Sequence, residues 1–357
     1  MQNADFSRNL LQWYQHHKRE MPWRGELDPY KIWVSEIMLQ QTRVDQATPY
    51  FQNFISLFPT VYDLADADQQ QVLKAWEGLG YYSRARNLHT AAKTVVEEYN
   101  GKVPESYDEI IKLKGIGPYT AAAVTSIAFN APNAVVDGNV IRVLCRYFGI
   151  EDDTRSSKTS RMIQEEADEL IDPEHPGDFN QALMELGSEV CTPTNPDCEN
   201  CPVQAGCIAT KMSKTEVIPY KSPAKKKPHH IIGVGIVENE EGQVLIALRP
   251  EEAMLGGLWE FPGGKQKEDE TISETVEREL HEELGVEVKA YKELMSLKHA
   301  YSHFSITMHA WFCKLVNGTP SPKESQEIKW VKTEELERYP FPKANKVLTE
   351  RLINDKN

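Results

Sequence analysis

Through the first 220 positions, apolar residues return every three or four places. That periodicity predicts helices over 6–17, 30–41, 71–79, 87–99, 119–129, 139–149, 160–171 and 179–190. Breaks fall between them at Gly115, Gly117, Pro118, Pro132 and Gly138. Beyond residue 230 the period shortens to two. Segments 231–237 and 243–249, joined by turn residues 239–242, read as a hairpin, and 305–316 and 327–331 as further strands. Helices are predicted near 272–284 and 343–354. Between the two patterns, KSPAKKKPHH at 221–230 exchanges apolar periodicity for Lys, Pro and Ser, the composition of a linker. The fold expected is multidomain: an all-α domain over 1–220, then an α+β domain over 231–357.

Composition narrows the class. The chain has 357 residues, 40% hydrophobic and 26% charged, which is globular. No apolar run approaches the roughly 20 residues of a membrane span. The N-terminal stretch lacks the basic-then-apolar pattern of a signal peptide. A cytoplasmic protein with no membrane association is expected. A net charge of −14 argues against a broad basic surface for nucleic acid. The charge is uneven, however. Residues 1–150 are close to neutral and 151–200 strongly acidic, so any DNA contact must rely on local geometry.

Four of the six cysteines crowd into a loop at 191–207, with Cys191, Cys198, Cys201 and Cys207 spaced C-x6-C-x2-C-x5-C. Four thiolates so close can enclose one metal centre. Zinc and a [4Fe–4S] cluster both accept this donor set, and the chemistry leaves the two open. Cys145 and Cys313 stand alone and read as small buried hydrophobes. Gly115 and Gly117 allow a tight hairpin whose backbone N–H groups, at a helix start, can hold a DNA phosphate without side-chain charge. Asp137, just before the 139–149 helix, has the position of an N-cap. Glu36 sits among Val34, Ile37, Met38 and Leu39, a setting of partial burial that raises a carboxyl pKa. In the second half, Gly264-x5-Glu270-x7-Arg278-Glu279-Leu280-x-Glu282-Glu283-x-Gly285-Val286 is a complete Nudix signature. Its Glu279, Glu282 and Glu283, at i, i+3 and i+4, share a helix face suited to Mg²⁺ and a diphosphate.

These motifs together resemble a known family. The cysteine spacing, the glycine hairpin followed by an aspartate, PWR at 22–24, DPYKIWVSEIMLQQT at 28–42, WEGLGYYSRARNL at 76–88 and FNQALMELG at 179–187 resemble the MutY adenine glycosylases of the endonuclease III-like helix–hairpin–helix superfamily. The likeness covers residues 6–220. It favours iron–sulfur over zinc and implies duplex DNA bearing A:8-oxoguanine or A:G as partner. A monomer is expected. The resemblance implies that Glu36 is the acid that protonates adenine N7 and that Asp137 stabilises the sugar cation, with Tyr119 supporting both. Gln41 and Tyr81 match the wedge that enters the DNA gap, and Arg19, Trp23, Arg24 and Glu185 match the adenine pocket. Bifunctional relatives place a lysine where this chain has Tyr119, so no Schiff base is expected there. Residues 229–353 resemble the MutT hydrolases. In those, an asparagine at the place of Asn345 reads the oxidised purine, and Tyr301-Ser302-His303 resembles a Phe-Ser-His loop that touches 8-oxoguanine in MutY proteins. Those proteins usually lack the complete Nudix box. Two other readings therefore stand beside an adenine glycosylase: a bifunctional chain that also hydrolyses 8-oxo-dGTP or another triphosphate, and a silent lesion binder. Glu36 and Asp137 speak against the last.

Overall fold

The computed structural model describes residues 2–223, 226–301 and 303–356. The chain divides into two compact units, one of residues 1–66 and 87–224, the other of 67–86 and 225–357. Among the described residues, twelve α-helices lie up to Lys211: α1 (Gln2–His17), α2 (Pro29–Leu39), α3 (Val44–Leu57), α4 (Val61–Asp66), α5 (Gln69–Ala75), α6 (Ser83–Tyr99), α7 (Tyr107–Ile110), α8 (Pro118–Phe129), α9 (Gly138–Phe148), α10 (Ser157–Leu170), α11 (Pro176–Glu189) and α12 (Ile208–Lys211). The core of the first unit gathers Phe6 and Leu10 of α1, Val140 and Leu144 of α9, and Phe179, Leu183 and Leu186 of α11, all nearly or fully buried. Periodicity missed α3. Pro49 lies inside it and costs one backbone hydrogen bond, but Ala47, Phe51 and Phe54 still form a buried stripe.

The second unit carries strands β1 (His229–Val237), β2 (Gln243–Leu248), β3 (Trp259–Glu260), β4 (Gly263–Lys265), β5 (Glu287–Ala300), β6 (Ser305–Asn317) and β7 (Glu327–Lys332), with α13 (Ile272–Leu284) and α14 (Lys343–Lys356). They make two sheets, ordered β4-β1-β6-β5 and β3-β2-β7. The expected hairpin of 231–237 with 243–249 does not form as a pair of strands. The turn closes with Asn239 N–H on Gln243 O and a single Glu238–Val244 bridge, and the strands then part. β1 runs parallel to β6, and β2 antiparallel to β7. The physical reason is burial: β1 is sheltered on both faces over its last five residues and so belongs inside a sheet. Glycine makes this possible. A Cβ at Gly235 would lie 2.7 Å from Leu280 Cδ2, so glycine lets α13 close on β1 without displacing that side chain. The long β5 was also missed, because its outward Lys and Glu residues mask a weak alternation.

Candidate functional site

The first candidate centre draws on α2 and on the starts of α8 and α9. Asp28 caps α2, accepting from Tyr30 N–H at 3.0 Å, and Pro29 opens the helix. Residues Ile32 to Met38 are all buried, Glu36 among them at 5% exposure. Tyr119, second residue of α8, donates its hydroxyl to Glu36 Oε2 at 2.8 Å and lies 3.3 Å from Met184 Sδ. Burial pushes the Glu36 carboxyl up to about 7; the Tyr119 hydrogen bond and the Arg24 charge pull down, and the Asp137 charge pushes up. Asp137 is the N-cap of α9. It accepts from Val140 N–H at 2.7 Å and from Asn139 Nδ2 at 3.0 Å. Burial raises its carboxyl too, against those donors. The capping role and an electrostatic coupling to Glu36 thus coexist in one residue.

A second cluster adjoins it. Glu185 of α11 is buried and accepts from Arg19 Nε at 2.7 Å and Arg24 NH2 at 3.1 Å. Burial would raise its carboxyl, but the two guanidinium groups hold it below the usual range. Arg24 also lies over the Tyr14 ring and donates to Arg19 O. Trp23 is buried edge-on against Phe51. Sequence reasoning missed Tyr14, Ser188 and Glu189, which complete this cluster by contacts from α1 and α11 that no local pattern announces.

The hairpin before α8 has its left-handed residue at Gly115 (φ +82°), where a Cβ would lie 2.5 Å from that of Asn87. Gly117 caps α8 and faces open space. Gln41 follows α2, exposed, with φ +56°. Tyr81 belongs to the second unit, 38% exposed with φ +50°. Both are non-glycine residues in left-handed backbone, a costly conformation that tends to mark function. The Arg84 guanidinium lies over the Tyr81 ring.

Cys191, Cys198, Cys201 and Cys207 line one small cavity with Val143, Arg146, Leu186 and Val203. Buried Arg146 donates to Cys191 Sγ at 3.3 Å and to the carbonyls of Thr192, Pro193 and Ile218. Among the described residues, no three His, Cys, Asp or Glu side chains are placed to hold a single ion. The four thiols instead stand around a common space, with a cation beside them.

In the second unit, a cavity of about 730 Å³ is lined by Glu279, Glu283, Tyr301, His303 and Asn345, together with Arg249 and Glu260, which the sequence did not single out. Asn345 Oδ1 accepts from Phe261 N–H at 3.1 Å. Tyr301 stacks on Phe304, and His303 is exposed. Ser302 lies outside the described residues. The box glutamates do not all face the cavity. Exposed Glu282 turns to Arg278 and Lys267. Arg278 also holds Glu270 and Glu279, with Glu270 pulled down to about 2 by its hydrogen bond. Glu283 accepts from Gly263 N–H and is pushed up to about 8, first by burial, then by the Glu260 charge.

A helical unit with a glycine hairpin and capping aspartate, followed by a Nudix unit, defines the class: a helix–hairpin–helix base-excision glycosylase with a C-terminal Nudix domain. The model of the HhH-GPD superfamily base excision DNA repair proteins matches residues 34–173, and that of the NUDIX domain matches 233–351. The chain is 34% identical over 388 residues to the adenine DNA glycosylase of Rattus norvegicus, covering 93% of this chain and 74% of that one. It is 32% identical over 339 residues to that of Buchnera aphidicola, covering 95% of each. A thermostable thymine-DNA glycosylase superimposes with a TM-score of 0.54 at 29% identity, over 59% of this chain and 97% of that one. The chain belongs to the adenine DNA glycosylase family.

Proposed function

We propose that this enzyme of base excision repair releases adenine from duplex DNA where it stands opposite 8-oxoguanine or guanine, as a monofunctional glycosylase acting as a monomer. One observation carries the reading: a buried carboxyl, Glu36, poised near pH 7, hydrogen-bonded to Tyr119 and coupled to Asp137. Adenine is a poor leaving group until protonated. Glu36 in its protonated form gives its proton to N7 as the C1′–N9 bond breaks. Positive charge then develops on the sugar. Asp137, held by Val140 N–H and Asn139 at the start of α9, supplies the opposing carboxylate. The Glu36 carboxylate next takes a proton from the water that attacks C1′, leaving free adenine and an abasic site. The base must first leave the duplex, at a cost of a few kcal/mol. Gln41 and Tyr81 fill the gap, Gly115 and Gly117 hold the backbone, and Arg19, Trp23, Arg24 and Glu185 shape the pocket. Tyr119 carries no amine, so no Schiff base forms there.

The four cysteines suit a [4Fe–4S] cluster, with the donors of Arg146 balancing thiolate charge; Cys191, Cys198, Cys201 and Cys207 would hold it, and it would tie together the loop at 191–207 beside Val143 and Arg146 of α9. The cavity lined by Tyr301, His303 and Asn345 reads the oxidised purine. Relatives that match over 93–95% of the chain as adenine glycosylases favour excision over a separate nucleotide hydrolase. Among the described residues, no helix is long and apolar enough to cross a membrane.

The test is single-turnover adenine release from duplexes carrying A:8-oxoguanine, A:G and A:T. The expected order is A:8-oxoguanine, then A:G, with A:T inert. Equal release from all three overturns the reading. Light scattering of the purified chain checks the monomer.

A further inference from the structure

The second unit contains a buried acid that the reading above does not use. Glu77 follows α5, and its side chain is 6% exposed. Its Oε1 accepts from Phe341 N–H at 3.0 Å. Its Oε2 pairs with Lys346 at 2.9 Å and Lys74 at 2.7 Å. Phe341 and Lys346 bracket Asn345, so one carboxylate holds both ends of the stretch that carries the candidate lesion-reading amide. Phe341 is gripped a second time: Tyr82 donates its hydroxyl to Phe341 O at 3.2 Å while accepting from Gly78 N–H. The Phe341 ring stacks on Phe261, whose N–H holds Asn345 Oδ1. The other end of this network is the turn that bears Tyr81. Gly80 O accepts from both Trp76 Nε1 and Arg84 NH2, fixing the backbone before Tyr81.

We infer that Glu77 is a positioning residue through which the lesion-reading cavity and the Tyr81 turn are held in register, so that it sets the preference for 8-oxoguanine over guanine. The physical case is one of geometry. A buried carboxylate with two lysines and one backbone donor is well satisfied, and removing it takes the acceptor from the buried Phe341 N–H and the shared carboxylate from the two lysines. The Phe341–Lys346 stretch and the 76–84 turn then lose their shared anchor. This inference rests on the roles proposed for Asn345 and Tyr81.

The experiment measures single-turnover adenine release from A:8-oxoguanine and A:G duplexes by the full-length chain, Glu77→Ala, Asn345→Ala and the double variant. Glu77→Ala is expected to lower the A:8-oxoguanine rate about tenfold and the A:G rate less than threefold. In the Asn345→Ala background the same substitution is expected to leave the ratio of the two rates where Asn345→Ala put it, because coupled residues are not additive. Glu77→Gln keeps an acceptor for Phe341 N–H and is expected to fall between. It also serves if the alanine variant does not fold. Equal losses on both duplexes would mean a merely structural role and overturn the inference, as would additive effects in the double variant. A wild-type chain that does not discriminate the two duplexes would instead overturn the parent reading.

Discussion

At the residue scale, the decisive feature is that one carboxyl can be an acid at neutral pH. Glu36 is charged in water well below pH 7; burial moves it to about 7. Its protonated form therefore dominates below that value and is lost above it. Adenine release is expected to fall as pH rises through about 7, a limb absent from Glu36→Gln. That variant should be slower by on the order of 10²–10⁴. Tyr119 donates to the carboxylate and so lowers its pKa. Tyr119→Phe is expected to move the limb to higher pH and to slow release about tenfold, the size of one hydrogen bond. An unmoved limb would detach Tyr119 from Glu36. Asp137→Asn should still bind the duplex in gel shift but release no base. Glu36, Tyr119 and Asp137 were legible in the sequence as members of motifs. The burial that tunes them was only hinted at by the apolar neighbours of Glu36, because helices far apart in sequence supply it.

At the element scale, the hairpin before α8 separates two kinds of glycine. Gly115→Ala forces a Cβ onto Asn87 in left-handed backbone. It is expected to cost more than about 1 kcal/mol, a Tm loss of several degrees. Gly117→Ala meets open space and should change Tm little. Its effect should appear in duplex affinity. The proposed cluster at the 191–207 loop is tested by Cys198→Ser, which should lower bound iron and visible absorbance together. On the Nudix helix, spacing along the chain does not say where each glutamate turns. The glutamates do share a face, but Arg278 and Lys267 draw Glu282 outward while Glu260, from another strand, enters the cavity. Monophosphate formation from 8-oxo-dGTP and Mg²⁺ is accordingly expected to be no greater than with Glu282→Gln/Glu283→Gln.

At the scale of the whole molecule, residues 67–86 join the Nudix domain although they lie within the helical half of the sequence. Gln70 receives Trp259 Nε1 and donates to Gly257 O; Arg86 donates to Gly256 O; Glu77 and Tyr82 hold Phe341. A chain ending at residue 220 loses all these partners. It is expected to melt several degrees lower than the full chain, with hydrogen exchange fastest in 69–84. Exchange in 69–84 no faster than in the rest of the truncated chain would contradict this.

The sequence by itself determined the two classes of domain, ten of the described helices and the strands with strong alternation, because periodicity is a local consequence of which face must be buried. It also supplied the chemistry-bearing residues wherever their spacing was local, as with the cysteines and the Nudix glutamates. Only the tertiary structure decided that β1 and β2 enter different sheets, that Glu185 gathers two arginines from another segment, that Glu36 lies deep enough to hold a proton, and that Glu77 belongs with Phe341. Each of these depends on which distant surface covers a side chain. Burial of that kind sets hydrogen-bond partners and pKa, and no window along the chain records it.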